Sequence, residues 1–300
     1  MAAFGLGPED LLIALGRALA VAALCVAFGT LLVRRAVVPR PSPDAAPLLG
    51  TLQWAALATA ALAGMLWCAL EAHAIGGTHS AAATVAMLPM IFSATEFGHL
   101  QIDRFGLLTV AALALAYARG RASTAATVAA GLAVLLETQM LHGAAMQTGP
   151  TLLLASEALH VLSAAAWLGA LPALAIVVAR SAPETAGMAA QRFSAIGIAA
   201  VAALAMSAAL QAWRLIGSWA GLFATPYGFV ALAKLLLFGL LVALAARNRR
   251  RLVPRAIGGA APARAALQRS ILIAVALGSG VLTLASLLAT MAPPAEMGGE

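Results

Sequence analysis

The chain has 300 residues, of which 63% are hydrophobic and only 10% are charged, and its formal net charge is +7. Soluble domains carry about 25% charged residues, so this composition excludes a mainly water-facing protein. The positive charge does not indicate nucleic-acid binding, because the basic residues lie in short loops between apolar runs and aromatic residues make up only 5% of the chain.

Apolar runs long enough to cross a bilayer, about 20 residues each, occur throughout the chain. They predict an all-α, polytopic transmembrane helix bundle of about eight spans. The first run contains Arg17, and we expect it to be a retained span rather than a cleaved signal. The predicted spans are 11–33, 51–72, 104–118, 124–143, 153–179, 194–216, 227–247 and 269–290.

Two segments lie outside this set of spans. The apolar stretch 81–98 is interrupted by Pro89 and ends in polar residues, so we interpret it as a re-entrant or interfacial helix. The basic linker 253–267 is expected to be a flexible loop. The predicted organisation is an N-terminal group of membrane helices over 1–150, with four spans and the interfacial segment, and a C-terminal group over 151–300.

The distribution of basic residues predicts the orientation. With eight spans, fourteen of the eighteen basic residues fall on one side, which the positive-inside rule makes cytoplasmic. Both termini then face outward. These fourteen are Arg34, Arg35, Arg40, Arg119, Arg121, Arg180, Arg192, Arg247, Arg249, Arg250, Arg251, Arg255, Arg264 and Arg269.

All five histidines fall at or near the outer side in this topology. The best cluster lies on the hairpin between the fourth and fifth spans. Antiparallel helices joined by a short loop are neighbours, so His142 and His160 can approach one another there. Imidazole and thioether ligands together suit copper, and Met140 and Met146 lie beside His142 in sequence. Glu157, three residues before His160, is expected to orient it as a hydrogen-bond acceptor.

Other polar residues offer less specific signals. Glu96, His99 and Asp103 form one helical stripe, which we interpret as a solvated loop, with a metal-entry funnel as the alternative. Lys234 lies within the seventh span and is expected to snorkel outward or to pair with a carboxylate such as Glu157. No nucleotide-binding loop, HExxH or CxxC is present, so the sequence does not predict an enzyme.

The second half of the chain resembles the copper resistance D family (CopD and PcoD). A weaker part of the resemblance runs from Glu96-Phe97-Gly98 to Arg104-Phe105-Gly106. The ordered pieces that carry it are LHVLSAAAWLGAL (159–171), Arg192-Phe193-Ser194, Leu222, Thr225-Pro226-Tyr227-Gly228, Lys234, Asn248-Arg249 and Leu252-Val253-Pro254.

The resemblance implies a copper-homeostasis protein of the bacterial inner membrane that moves copper inward, often beside a periplasmic copper-binding partner, CopC. His160 matches the family histidine ahead of a Trp-x-Gly motif. His142 resembles an upstream site, where the family usually reads Gly-His and this chain reads Leu-His-Gly. Copper is therefore the expected metal, with His160, His142, Met146, Met140 and Glu157 as the site.

Two other functions remain open from the residues. In a haem-bearing electron-transfer protein, His142 and His160 would be axial ligands on facing helices. In a non-transporting module, the same residues would only present copper to a partner. The methionines beside the histidines favour copper over bis-histidine haem.

Overall fold

A computed structural model describes residues 7–77, 80–119, 123–140 and 151–294, and for Met140 the backbone alone. These ranges contain helices and turns and no strand. The helices are α1 (Pro8–Leu32), α2 (Ala46–Gly76), α3 (Ala81–Ala94), α4 (Glu96–Tyr117), α5 (Thr124–Leu135), α6 (Thr151–Trp167), α7 (Leu171–Arg180), α8 (Pro183–Leu215), α9 (Trp219–Phe223), α10 (Pro226–Arg247), α11 (Val253–Ile257) and α12 (Ala261–Leu288). Wider π-type turns follow α1 and α10, and a 3₁₀ turn over Leu136–Met140 follows α5.

Seven helical segments of the described chain are long and apolar enough to cross a membrane. They confirm the predicted polytopic helix bundle, while the orientation of the termini stays a prediction. The predicted fourth span corresponds to the shorter apolar helix Thr124–Gln139, and residues 141–143 lie outside the described ranges. The seven segments are Pro8–Val37, Ala46–Gly76, Glu96–Tyr117, Thr151–Arg180, Pro183–Leu215, Pro226–Ile257 and Ala261–Leu288.

Helix α1 is the centre of the bundle, since it packs against α2, α5, α6, α7 and α12. Its closest neighbour is the α6–α7 junction. A Cβ on Gly29 would lie 2.2 Å from the carbonyl carbon of Gly169, and a Cβ on Gly169 would lie 2.0 Å from the carbonyl oxygen of Cys25. Small residues let membrane helices approach at backbone distance, so these two glycines fix the crossing of α1 with the junction.

The predicted fifth span, 153–179, is not one continuous helix. Helix α6 ends at Trp167, three residues form a turn, and α7 begins at Leu171. Non-helical backbone at membrane depth is tolerated only where protein buries it or where it lines a cavity. The turn meets this requirement, because Leu168 and Ala170 are buried against neighbouring helices.

Several helices begin where a Ser or Thr side chain accepts a bond from a backbone N–H two or three positions into the helix. Thr225 accepts from the N–H of Gly228 at 3.0 Å, and Pro226 occupies the first helical position of α10. A Cβ on Gly228 would lie 2.2 Å from the carbonyl oxygen of Leu222. The Thr-Pro-Tyr-Gly motif therefore starts α10 and allows α9 to pack against its first turn.

Three of the sequence predictions were wrong, two on where a helix begins and one on a loop. The third span begins at Glu96 rather than 104, because exposed Glu96, His99 and Asp103 occupy the outer face of its first turns while Gln101 and Arg104 are buried. The sixth span begins at Pro183 rather than 194. The linker 253–267 is not a flexible loop, because it forms α11 and the first turns of α12, leaving a turn of three residues between them.

Candidate functional site

A buried ionic cluster joins α1, α4 and the turn after α5. Glu137 accepts a bond from Arg17 Nε at 2.9 Å on one carboxylate oxygen and from Arg104 Nη2 at 2.7 Å on the other. Arg17 Nη2 also lies 2.8 Å from Glu137 Oε1. Their side chains are no more than 6% exposed. One carboxylate therefore neutralises one of two guanidinium charges, and the cluster keeps a formal charge of +1.

An aromatic and amide shell surrounds this cluster. The guanidinium carbons of Arg17 and Arg104 lie 5.4 and 5.7 Å from the centre of the Trp67 ring, within cation–π range. Trp67 donates to Glu71 at 3.0 Å, and Arg104 donates to Gln101 Oε1 at 3.0 Å. Because α2 supplies the ring, four helical elements are joined through one carboxylate and its cations.

Arg17 and Arg104 lie within predicted spans, and sequence reasoning assigned them no role. A signal was present, since a charged residue inside an apolar run is costly and is normally paired and functional. Glu137 is the partner of both arginines. Which partner it takes could not be derived, because Arg17 is 120 positions away in the sequence.

A cavity of about 290 Å³ lies beside the ionic cluster, enclosed mainly by α1, α6, α8, α10 and α12. Most of its wall is apolar. Its polar lining is concentrated in a small group of ionisable and hydrogen-bonding side chains that come from six elements. That group comprises Arg17, Cys25, Glu137, Glu157, His160, Gln211, Tyr227, Lys234 and Ser286. The cavity is thus a mixed-charge chamber within an apolar bundle.

His160 is held by a residue of α8. Its Nδ1 lies 2.9 Å from the hydroxyl oxygen of Ser207. That hydroxyl has one proton, which it donates to the carbonyl oxygen of Ala203 at 2.7 Å. With its proton donated in this way, Ser207 would accept from His160 Nδ1–H, which in a neutral imidazole is the Nδ1–H tautomer. This tautomer carries the lone pair on Nε2, the form in which histidine binds a metal.

Glu157 lies one turn before His160 and is 3% exposed. One of its carboxylate oxygens, Oε2, is buried and has no hydrogen-bond partner. Lys234 interacts with it electrostatically across the cavity, although no ion pair within 4 Å forms between them. The expected role of Glu157 as an acceptor for His160 stays a prediction, and the partner at His160 Nδ1 is Ser207.

The predicted copper site is described only in part. His160 and Glu157 both line the cavity. Met140 ends the 3₁₀ turn after α5, and its side chain is not described, while His142 and Met146 lie outside the described residues. Within residues 7–77, 80–119, 123–140 and 151–294, no group of three His, Cys, Asp or Glu side chains is placed to hold a metal ion.

The two cysteines and His99 lie in three different environments. Cys25 is a buried free thiol on the cavity wall. Cys68 is buried on α2, away from that cavity. His99 is exposed, and its Nε2 lies 3.3 Å from the carbonyl oxygen of Ser93, so the stripe of Glu96, His99 and Asp103 does not point into the bundle.

These features define a multi-pass α-helical membrane protein whose interior holds paired charges and a histidine-bearing chamber. Comparison with known proteins gives the family. The family model "Copper resistance protein D" matches residues 187–288, and "Copper resistance protein D-like, N-terminal domain" matches residues 8–152. The chain belongs to the copper resistance protein D family, as its motifs predicted.

A relative supports this assignment over most of the chain. Copper resistance protein D of Pseudomonas syringae pv. tomato is 30% identical over 254 residues, which cover 76% of this chain and 79% of the relative. No solved structure matches the chain. The protein is therefore a copper-related membrane protein, and the geometry above is the basis for a more specific function.

Proposed function

We propose that the protein takes up copper, receiving the ion at the outer face of the bacterial inner membrane and passing it toward the cytoplasm. The observation that carries the proposal is the one-sided distribution of charged side chains inside the bundle. Arg17, Arg104, Glu157 and Lys234 each lie in the first half of their helices, α1, α4, α6 and α10. These halves meet at one end of the bundle, around Glu137.

The opposite end of the bundle carries the arginine-rich connections, which the positive-inside rule makes cytoplasmic. They offer no histidine, cysteine or acidic cluster in sequence with which to capture a metal for export. The chamber with His160 would then open toward the periplasm. A periplasmic copper-binding protein of the CopC kind could deliver the ion at that face.

His160 is the ligand we propose with the clearest support, because it lines the chamber and its Nδ1 lies 2.9 Å from the Ser207 hydroxyl, a contact that favours the tautomer with the lone pair on Nε2. His142, Met146 and Met140 are proposed to complete the site. Imidazole and thioether ligands together suit Cu(I), and the carboxyl groups of Glu137 and Glu157 on the same wall offset the positive charges of Arg17 and Lys234. The Cys25 thiol on the same wall offers a further soft ligand.

Copper binding by purified protein tests the site. We expect His160→Ala to lose most of the affinity for copper and Glu157→Gln to lose about 10–100-fold, the range typical of residues that orient a ligand. His99→Ala is the matched control, because His99 is exposed. Equal affinity in His160→Ala and the wild type would rule the site out.

Copper content of expressing cells tests direction. Uptake predicts that expression raises cellular copper and copper sensitivity, and that His160→Ala abolishes both effects. Lower cellular copper would indicate export. Unchanged copper with binding intact would indicate a module that only presents copper. A Soret band in the purified protein would indicate haem, for which His142 would be the second axial ligand.

A further inference from the structure

A second cavity, of about 510 Å³, lies at the arginine-rich end of the bundle. Helices α8 and α10, both fully described, form its two sides without packing against each other along their length. Leu267, Ile271 and Ala274 of α12 form its floor, and Leu171 and Leu174 of α7 close its back. The cavity is therefore a groove that opens sideways, between two spanning helices, toward the bilayer.

The groove has the length of one leaflet. On α8 its wall runs from Ala190 to Ala205, which is roughly 22 Å at 1.5 Å per residue. Half of a hydrocarbon core is about 15 Å, so the groove is longer than the apolar part of one leaflet and also reaches the headgroup level. Ile198, Ala202 and Ala205 on this wall are exposed. The groove thus extends from the level of the headgroups to the middle of the membrane, where buried Trp167 closes it.

The mouth of the groove is cationic. Arg249 and Arg250 line it and are exposed, and the wide turn Asn248–Leu252 presents them side by side. Arg249 Nη1 donates to Ser194 Oγ at 2.8 Å, which bridges the two sides of the mouth. Ser270 donates to Asn248 Oδ1 at 2.6 Å and fixes that amide. No acidic residue lines the groove.

The groove is unsuited to a copper ion, because it has two guanidinium groups at one end and an apolar shaft below them. Cations at membrane depth require polar partners, and below its mouth the groove offers the Trp167 indole as its only polar side chain. The same arrangement matches a phospholipid with an acidic headgroup, because basic pockets between spanning helices bind such headgroups. We propose that this groove is a binding site for one anionic phospholipid, with the phosphate on Arg249 and Arg250 and one acyl chain between α8 and α10.

This site is independent of the proposed copper function, and its test needs no metal. Phosphatidylglycerol is titrated into the purified, detergent-solubilised full chain, and lipid-bound protein is counted by native mass spectrometry. The two probes for comparison are phosphatidylcholine with the same acyl chains and inorganic phosphate. We expect phosphatidylglycerol to bind with a stoichiometry of one, and both other probes to bind at least tenfold more weakly.

Two variants address the two parts of the site. Arg249→Gln with Arg250→Gln should weaken phosphatidylglycerol binding roughly 25-fold, since about 1 kcal/mol for each basic residue near an acidic headgroup is roughly fivefold. Ala202→Phe, which fills the groove, should abolish binding while leaving both arginines in place. The double change Arg251→Gln with Arg255→Gln and the single change Ala199→Phe are matched controls, because those residues are exposed but do not line the groove.

Several results would overturn the proposal. Equal binding of phosphatidylcholine would show an ordinary apolar contact with bulk lipid, and equal binding of inorganic phosphate would show an anion site without a lipid. Undiminished binding in both the arginine and the Ala202→Phe variants would place the lipid elsewhere. Because Ala202 lines the groove and is exposed, its variant remains informative if the arginine variant fails to fold.

Discussion

Single residues decide the electrostatics of this protein. Glu137 forms ion pairs within 4 Å with two arginines at once. A guanidinium buried in an apolar bundle without a counter-charge is strongly unfavourable. The Trp67 ring, which lies within cation–π range of both guanidinium groups, offsets part of their mutual repulsion. Loss of Glu137 would therefore affect three helical elements together.

We predict that Glu137→Gln destabilises the protein by about 3–5 kcal/mol, the range for removing one partner of a buried ion pair. The amide keeps the shape of the side chain but leaves both guanidinium charges without a counter-charge. Thermal unfolding in detergent would measure the loss. Asp103→Asn is the control, since Asp103 is an exposed acid on the same helix as Arg104. Similar melting temperatures for the two variants would contradict this account.

Ser207 offers a second prediction at the same scale. The contact of its hydroxyl with His160 Nδ1 at 2.9 Å favours the tautomer with the lone pair on Nε2. Ser207→Ala is expected to weaken copper binding by about 10–100-fold without removing a ligand. Ser279→Ala is the control, because Ser279 is exposed and its hydroxyl bonds only within its own helix. Unchanged copper affinity in Ser207→Ala would show that the contact with Ser207 does not affect metal binding.

At the scale of elements, the broken span α6–α7 organises the bundle. Its turn lies against the backbone of α1, and Trp167, just before the turn, lines both the chamber that holds His160 and the arginine-lined groove. The Trp167 ring also contacts Phe238 of α10 edge to face, with ring centres 6.1 Å apart. The family motif around Trp167 and Gly169 therefore marks a helix break, a close backbone crossing and the wall between two cavities.

We predict that Gly169→Ala destabilises the bundle by at least about 3 kcal/mol, the upper end of overpacking in a core. Its Cβ would lie 2.0 Å from the Cys25 carbonyl oxygen, so backbone would have to move. Gly239→Ala is the matched control, because nothing lies within 4 Å of its Cβ position. In an exposed helix this change removes a weak helix former, and we expect stability to rise by up to about 1 kcal/mol. Equal melting temperatures would show that α1 and the turn are not tightly packed.

At the scale of the molecule, the two ends of the bundle differ in chemistry. One end buries paired charges and a histidine around a mixed-charge chamber, and the other exposes arginines around an apolar groove. With Trp167 between them, the chamber and the groove are not continuous in this conformation. Inward movement of copper would thus require a rearrangement near the α6–α7 turn, where broken spans commonly form the binding sites of transporters.

The orientation prediction belongs to this scale. Reporter fusions after residues 121, 255 and 297 should give cytoplasmic signals at the first two positions and a periplasmic signal at the third. The reason is that eight spans with outward termini gather fourteen of the eighteen basic residues on one side. A cytoplasmic signal at 297, or a periplasmic signal at 255, would contradict this topology and reverse the proposed direction of copper movement.

The sequence by itself determined the class of protein, the helical bundle and the family. Apolar length and charge spacing are local properties, so spans such as Ala46–Gly76 can be predicted one at a time. Motifs such as Thr225–Gly228 identify the family from sequence alone, because each has a local role in starting or packing a helix. The predicted start of a helix was wrong where exposed polar residues occupy its first turns, as Glu96 and Asp103 do.

Only the tertiary structure decided which charges meet and where a span breaks. Glu137 pairs with residues 120 and 33 positions away, and His160 takes a partner 47 positions away. Helical periodicity fixes which face of a helix a residue occupies but not which helix lies opposite. The break at Gly169 likewise depends on the approach of α1. A glycine is needed there because the Cys25 carbonyl oxygen lies 2.0 Å from where a Cβ would be.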